Sequence, residues 1–170
     1  MIVLGIDPGL ERLGWAVTTE ERGTPRAIAF GCFMTDRATA VEARLALLQE
    51  HVRSMIALHR PEVMAVEKLL FQKNVKTAMV VAQARGVVLA AAAEFGLELV
   101  EQTPNAIKLA VTGYGAADKK QMQRMVQVLY RLPEPPKSDD AADALAIAFA
   151  GHTVAATLRR TGGGRGIIRP

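Results

Sequence analysis

The sequence predicts an α/β protein with a mixed five-stranded sheet and helices on both faces. Three short apolar segments, 2–6, 13–17 and 26–34, follow one another with only turns between them. From residue 41 onward, helical apolar patterns alternate with short strand-like segments. A meander followed by this alternation is typical of a sheet that begins antiparallel and continues with parallel strands.

The first strand is predicted by the β-branched and aliphatic run from Ile2 to Ile6. Asp7 ends this strand, and Pro8 and Gly9 are turn-forming residues. The segments 13–17 and 26–34 then complete the meander. We expect the glycines of this region to keep bulky side chains away from backbone that a phosphate approaches.

A helix over residues 41–59 follows from apolar residues at helical spacing, and Pro61 stops it. The segment 61–67, "PEVMAVE", is a short buried strand ending on Glu67, much as the first strand ends on Asp7. Two strands therefore each deliver a single acid after an almost wholly apolar run.

The next helix, predicted over residues 74–95, has small residues on one stripe and apolar residues on much of the remainder. The stripe consists of Ala78, Ala82, Gly86 and Ala90. Such a helix is either buried or packs closely against another copy of itself. The residues alone leave both possibilities open.

The second half predicts one further strand and three helices. "LELVEQ" (97–102) is the strand, and Thr103 and Pro104 are the N-cap and first residue of the next helix. Helices over 118–130 and 139–150 follow. We expect one folded domain over 1–155 and a mobile basic, Gly/Arg-rich arm over 156–170.

Composition narrows the class of protein. Half of the 170 residues are apolar and 22% are charged, which is typical of a globular domain. Cys32 is the only cysteine, which excludes an internal disulfide and favours a reducing, cytoplasmic location. The unbroken apolar runs are far too short to span a bilayer, so we expect no membrane association.

Positive charge is concentrated in two stretches, although the net charge is only +4. The first contains Lys68, Lys73, Lys76 and Arg85 without an acid, and the second runs from Lys108 to Arg131 with Asp118 as its only acid. Basic stretches beside isolated acids suggest a polyanion bound near a metal. A solvated helix face is the alternative for each stretch.

Four acids stand apart from the surface charges: Asp7, Glu67, Asp140 and Asp143. Asp140 and Asp143 share one face of an otherwise apolar helix, where a favourable interaction with the helix dipole is the alternative explanation. Carboxylates gathered in a protein interior stay ionised only with a cation among them. Oxygen ligands favour Mg²⁺, and two such ions can clamp the oxygens of a phosphodiester displacement.

With "GIDPG", "AVEKLLFQKN", "QARGV" and "DDAADALAIA" in view, the chain closely resembles the bacterial RuvC-type Holliday-junction resolvases up to about residue 150. The resemblance implies a ribonuclease H-like fold, a homodimer, and Mg²⁺-dependent paired nicking of a four-way DNA junction, with Mn²⁺ as a usable substitute. It also implies a branch-migration motor complex as a partner.

The resemblance assigns the catalytic and metal-binding acids to Asp7, Glu67, Asp140 and Asp143. Lys108 and Lys119 match family lysines near the scissile phosphate, and the resemblance also implies a catalytic role for Lys119. The basic stretches add Lys120, Lys73, Lys76 and Arg85 as DNA contacts.

Two departures leave alternatives open. The family often has an aromatic residue three positions after the glutamate, where this chain has Leu70 followed by Phe71, so either is a candidate base wedge. Asp139, next to Asp140, is a further candidate acid. Two other functions stay open: the protein could be a metal-free junction-binding or scaffold module, or a YqgF-like nuclease that acts on another nucleic acid.

Overall fold

The computed structural model of the protein describes residues 1–68 and 75–162. Its strands are β1 (Ile2–Asp7), β2 (Arg12–Glu21), β3 (Thr24–Met34), β4 (Val63–Glu67) and β5 (Glu98–Gln102). Its helices are α1 (Val41–His59), α2 (Val75–Glu94), α3 (Pro104–Thr112), α4 (Lys119–Leu129) and α5 (Asp139–Thr161).

The strands form one sheet in the order β3-β2-β1-β4-β5. β1 pairs antiparallel with β2, and β2 pairs antiparallel with β3. On its other side β1 pairs parallel with β4, and β4 pairs parallel with β5. The predicted meander followed by parallel strands is therefore confirmed.

The β2–β3 hairpin is longer than the sequence predicts at the end away from Asp7. A two-residue turn, Arg22 and Gly23 with φ of 51° and 78°, connects the strands. Positive φ at both positions fits the right-handed twist of a hairpin. The polar residues after Val17 hid this extension, since they interrupt the apolar pattern.

Helices cover both faces of the sheet, as predicted. On one face, α3, α4 and α5 pack on side chains such as Val3 and Ala65. On the other, α1 and α2 pack on Leu4 and Met64. Because neighbouring residues of a strand point to opposite faces, β1 and β4 are buried on both sides.

Helix α5 approaches the sheet closely because glycines remove side chains between them. A Cβ on Gly5 would lie 2.4 Å from the Ala144 carbonyl oxygen, and one on Gly14 would lie 2.1 Å from the Asp140 carbonyl oxygen. Gly14 thus admits the first turn of α5. The expectation that it clears space for a phosphate is wrong, since protein backbone occupies that space.

Helix α5 continues to Thr161, beyond the predicted end at Ala150 and across the predicted domain boundary at residue 155. Gly151 is buried in the middle of it, and Arg159 is bonded to Glu62 and Glu98. Residues 156–161 are therefore helix, while residues 163–170 lie outside the described residues and a mobile arm there stays a prediction.

The length and composition of α5 would allow it to cross a membrane, and it is the one such helix in the part of the chain that the structure describes. Its apolar residues instead lie against the sheet and against α3 and α4. Burial in the protein core accounts for its hydropathy.

Candidate active site

A row of side-chain positions crosses the sheet at the end where β1 and β4 finish. Strand pairing places Cys32 opposite Gly14, Gly14 opposite Asp7, and Glu67 opposite Gln102. In the parallel pairing of β1 with β4, Ile6 lies opposite Val66, and Asp7 and Glu67 are the residues that directly follow them. Asp7 lies two residues after Gly5 and Glu67 two residues after Ala65, and both of these positions contact α5, so both acids lie on the α5 face.

Helix α5 brings the other two acids to this row. Ser138 is its N-cap residue, and Asp140 and Asp143 follow within the first turns. The contact of the Asp140 main chain with the Gly14 position sets the height of the helix above β2. The four predicted acids are therefore collected from β1, β4 and α5 at one end of the sheet.

Asp7 is the acid most strongly affected by this gathering. Burial, together with the charges of Asp143, Glu67 and Asp140, raises its pKa from 3.8 to about 7, and Lys119 opposes the rise. A carboxyl group with this pKa is only partly ionised at neutral pH, and a positive charge beside it favours the ionised form. Asp7 is therefore suited to a position next to a bound cation.

Glu67 and Asp143 show the same behaviour. Burial raises the pKa of each, and the Asp143 charge adds to the effect on Glu67. Lys108 lowers the pKa of both, and Lys119 lowers that of Asp143. The two lysines that the resemblance assigned to the scissile phosphate thus lie near the acids.

Asp140 differs from the other three acids. Burial raises its pKa, but hydrogen bonds from Arg12 and Ser138 and the charge of Arg12 outweigh this and lower the pKa below 3.8. Arg12 Nη2 lies 2.6 Å from Asp140 Oδ2. Nothing in the sequence pattern singled out Arg12, because it lies between the two predicted strands 2–6 and 13–17, and a single arginine there carries no periodic signal.

Asp139 faces a different element from Asp140. Its carboxylate accepts a 2.7 Å hydrogen bond from Gln123 Nε2 and lies 3.5 Å from Lys119 Nζ, both on α4. Lys119 and Lys120 open α4, whose N-cap Asp118 forms a capping box with Gln121. Asp139 therefore borders the site and contacts Lys119.

Arg85, predicted as a DNA contact, has internal partners. Its guanidinium forms an ion pair with Glu101, and its Nε lies 3.4 Å from the main-chain oxygen of Glu67. The side chain is partly buried, with 17% exposed. The structure thus gives Arg85 a role in holding the end of β4, which the sequence did not indicate, and a DNA contact by Arg85 stays a prediction.

Four predicted contacts cannot be placed. Leu70, Phe71 and Lys73 lie outside the described residues, and Lys76 is in α2 with its side chain outside them. Neither candidate for the base wedge is therefore located.

The chemistry of the donor set fits a hard divalent cation. Carboxylate oxygens are the ligands that Mg²⁺ prefers. Within residues 1–68 and 75–162, no three acidic, cysteine or histidine side chains converge closely enough to form a ready-made metal cage. Burial is the largest cause of the raised pKa values of Asp7, Glu67 and Asp143, and the charges of neighbouring acids add to it, as is expected where carboxylates share a desolvated site.

Comparison with known proteins gives consistent matches over most of the chain. The family model described as crossover junction endodeoxyribonuclease RuvC matches residues 3–152. The protein of that description from Brevibacillus brevis is 47% identical over 149 residues, covering 88% of this chain and 90% of its own. The corresponding Moorella thermoacetica protein is 48% identical over 148 residues, covering 87% and 89%.

Solved structures agree with these sequence matches. Thermus thermophilus RuvC in complex with a Holliday junction substrate has a TM-score of 0.88 and 32% identity, covering 97% of this chain and 98% of that chain. The yeast mitochondrial Holliday junction resolvase Ydc2, with a TM-score of 0.64 and 14% identity over 93% and 82%, shares the fold.

The sheet order and the acids at one end of it define a ribonuclease H-like protein with a carboxylate-lined site, which confirms the predicted fold class. More specifically, the chain belongs to the RuvC family of crossover junction endodeoxyribonucleases.

Proposed function

We propose that this protein is a metal-dependent endonuclease that resolves four-way DNA junctions by nicking two strands symmetrically during recombination and repair. The observation that carries the proposal is the placement of Asp7, Glu67 and Asp143 at one end of the sheet, where burial and neighbouring acids raise their pKa values, beside Lys108 and Lys119. Membership of the RuvC family supports junction DNA as the substrate.

Asp7, Glu67, Asp140 and Asp143 are the residues proposed to hold Mg²⁺, with Mn²⁺ as a substitute and two ions per site. When bound, such ions stabilise the attacking and leaving oxygens of an in-line phosphodiester displacement. The acids supply the negative charge that fixes the cations at the sheet end. Lys108 and Lys119 supply positive charge beside them, which suits a contact with the scissile phosphate.

A four-way junction offers two equivalent strands, so we propose a two-fold symmetric homodimer. Helix α2 supports this choice, because its small-residue stripe is largely exposed and Met79 beside it is 63% exposed. A Cβ added to Gly86 would meet no other atom within 4 Å, so a second helix can approach this position closely. A branch-migration motor partner and a cytoplasmic location belong to the same proposal.

Remaining DNA contacts are proposed from charge. Lys120 is exposed at the start of α4 beside Lys119. Lys73, Lys76 and Arg85 stay proposed contacts of the first basic stretch, and Leu70 or Phe71 stays the proposed base wedge. Replacing Lys119 by Ala should make the salt dependence of junction binding shallower by about 0.9 in the log–log slope, if this side chain contacts a phosphate.

One assay distinguishes the proposed nuclease from the alternative, a metal-free junction-binding or scaffold module. The full chain is incubated with a labelled four-way junction and, in parallel, with a linear duplex of the same arm sequence. We expect paired nicks in the junction with Mg²⁺ and none with EDTA, while junction binding persists in EDTA. Binding without nicking under every divalent cation would favour the scaffold alternative, and equal cutting of a non-junction nucleic acid would favour a YqgF-like nuclease.

A further inference from the structure

Several side chains contact the carboxylate of Asp140, and all of these contacts are made to the same oxygen, Oδ2. Arg12 Nε and Nη2 each lie 2.6 Å from Oδ2. Ser138 Oγ lies 2.9 Å from the same oxygen, and Cys32 Sγ lies 3.6 Å from it. Arg12 Nη2 also donates to Ser138 Oγ at 3.1 Å, so the donors are bonded to one another as well as to Asp140.

This arrangement, which we call the Asp140 clamp, is built by the fold around Gly14. Arg12 precedes Gly14 by two residues on β2 and therefore extends from the same face of the sheet. Cys32 is the cross-strand partner of Gly14 on β3, and Ser138 caps α5 above it. Because Gly14 has no side chain, Asp140 sits low enough over β2 for all three to reach one oxygen.

Arg12 brings a permanent positive charge to a place where the site would otherwise accept a cation. A guanidinium stays protonated at any working pH, and its charge opposes a second cation a few ångströms away. Among the four acids, in the part of the chain that the structure describes, the ion pair with an arginine belongs to Asp140. Asp7, Glu67 and Asp143 have lysine charges near them but, within the same described ranges, no such pair.

We infer that Arg12 is a built-in counter-cation that competes with a metal ion for Asp140. The inference rests on the proposed metal site and adds an order to its filling: the cation held by Asp7, Glu67 and Asp143 binds first, and the cation next to Asp140 binds weakly while Arg12 is in place. The Arg12 side chain is 45% exposed, so it can release Oδ2 without disturbing the core. A DNA phosphate is the anion available to receive it.

Binding of Mn²⁺ to the DNA-free protein tests this competition without reference to cleavage. Electron paramagnetic resonance of free Mn²⁺ counts the sites and gives their affinities. Arg12→Gln removes the charge, and we expect the weaker site to bind Mn²⁺ about 10-fold more tightly than in the parent. Arg37→Gln is the matched control, because Arg37 pairs with Glu11 on the surface and is 78% exposed.

Two further variants separate charge from orientation. Arg12→Lys keeps the charge but loses the planar fork, and we expect parent-like affinity. Ser138→Ala removes an uncharged donor to the same oxygen, and we expect no tightening. Unchanged or weaker Mn²⁺ binding in Arg12→Gln, with circular dichroism like that of the parent, would overturn the competition and leave Arg12 as a positioning residue. A parent that binds no Mn²⁺ would instead contradict the proposed metal site.

Discussion

Replacing Asp7 by Asn should stabilise the metal-free protein while removing a ligand. Asp7 is buried among like charges, so its pKa in the folded chain is about 7 against 3.8 ordinarily. Between these pH values the unfolded chain has released this proton and the folded chain has kept it. The Asp7 contribution to stability is therefore present below about pH 4 and is lost as the pH rises through about 7.

The pKa difference sets the size of the effect. At about 1.4 kcal/mol for each tenfold change in proton affinity, ionising Asp7 in the fold costs up to about 4 kcal/mol at pH 8 and about 2 kcal/mol at pH 5. The carboxylate keeps some contact with solvent, and a buried Asn amide needs partners of its own, so we expect about half of these gains. For a chain of this size, about 2 kcal/mol raises Tm by roughly 4–8 °C.

The assay is urea unfolding and thermal melting of parent and Asp7→Asn in EDTA at pH 5 and pH 8. Glu20→Gln removes a carboxylate from an exposed strand position and is the control, with no expected change. Saturating Mg²⁺ should stabilise the parent and narrow its difference from the variant. If Asp7→Asn is no more stable than the parent at pH 8 in EDTA, Asp7 does not lie in a desolvated, repulsive cluster.

Three further predictions concern packing, pH and assembly. Gly14→Ala should destabilise the protein by about 1–3 kcal/mol or more, because its Cβ would lie 2.1 Å from the Asp140 carbonyl oxygen. Gly115→Ala is the control, because its Cβ would make only an ordinary 3.6 Å contact, with the Asn105 carbonyl oxygen, and we expect a change of no more than about 0.5 kcal/mol. Urea unfolding compares the two variants, and equal effects would contradict the close approach of α5. Burial and the positive charge of the N-terminal amino group lower the pKa of His152 to about 4, so the free energy of unfolding should fall as the pH drops from about 6.5 to 4. His152→Gln should make this fall less steep when urea unfolding is measured across that pH range. An equally steep fall in the variant would assign the loss of stability to other groups. For the proposed homodimer, Ala82→Glu should give a folded monomer in sedimentation, because it would bury a charge between the two copies of α2. Ala156→Glu, on the exposed side of α5, should sediment like the parent. A dimer that persists in Ala82→Glu would move the interface away from α2.

The strands and helices with regular apolar patterns could be predicted from the sequence. Helix α1 has the predicted bounds, and Thr103 caps α3 by accepting from the Ala106 amide at 3.3 Å, as its position before Pro104 indicated. The two ends that were missed, those of β2 and α5, lie where polar residues or Gly151 break the pattern. In α5 the Thr153 and Thr157 carbonyls accept bonds from hydroxyls one turn later, so the threonines are accommodated within the helix.

The acids of the candidate site were predictable for a similar reason. Asp7 and Glu67 each end an apolar strand, and alternation along parallel neighbours places both on one face. The residues that tune the site gave no such signal. Arg12, Ser138 and Cys32 are separated by up to 126 positions in the chain and meet only because Gly14 lets α5 settle on β2. Their roles depend on tertiary contact, which periodicity does not record.

Cleavage of a junction by the acid variants tests the proposed active site most directly. Parent, Asp7→Asn and Glu67→Gln are each bound to a labelled four-way junction in EDTA, and then Mg²⁺ is added and nicks on both strands are counted. We expect parent-like junction affinity in all three and a fall in nicking on the order of 10²-fold or more in both variants, as for loss of one charge-stabilising group. Near-parental nicking by Asp7→Asn would contradict the assignment of the four acids at this end of the sheet as the metal-dependent active site.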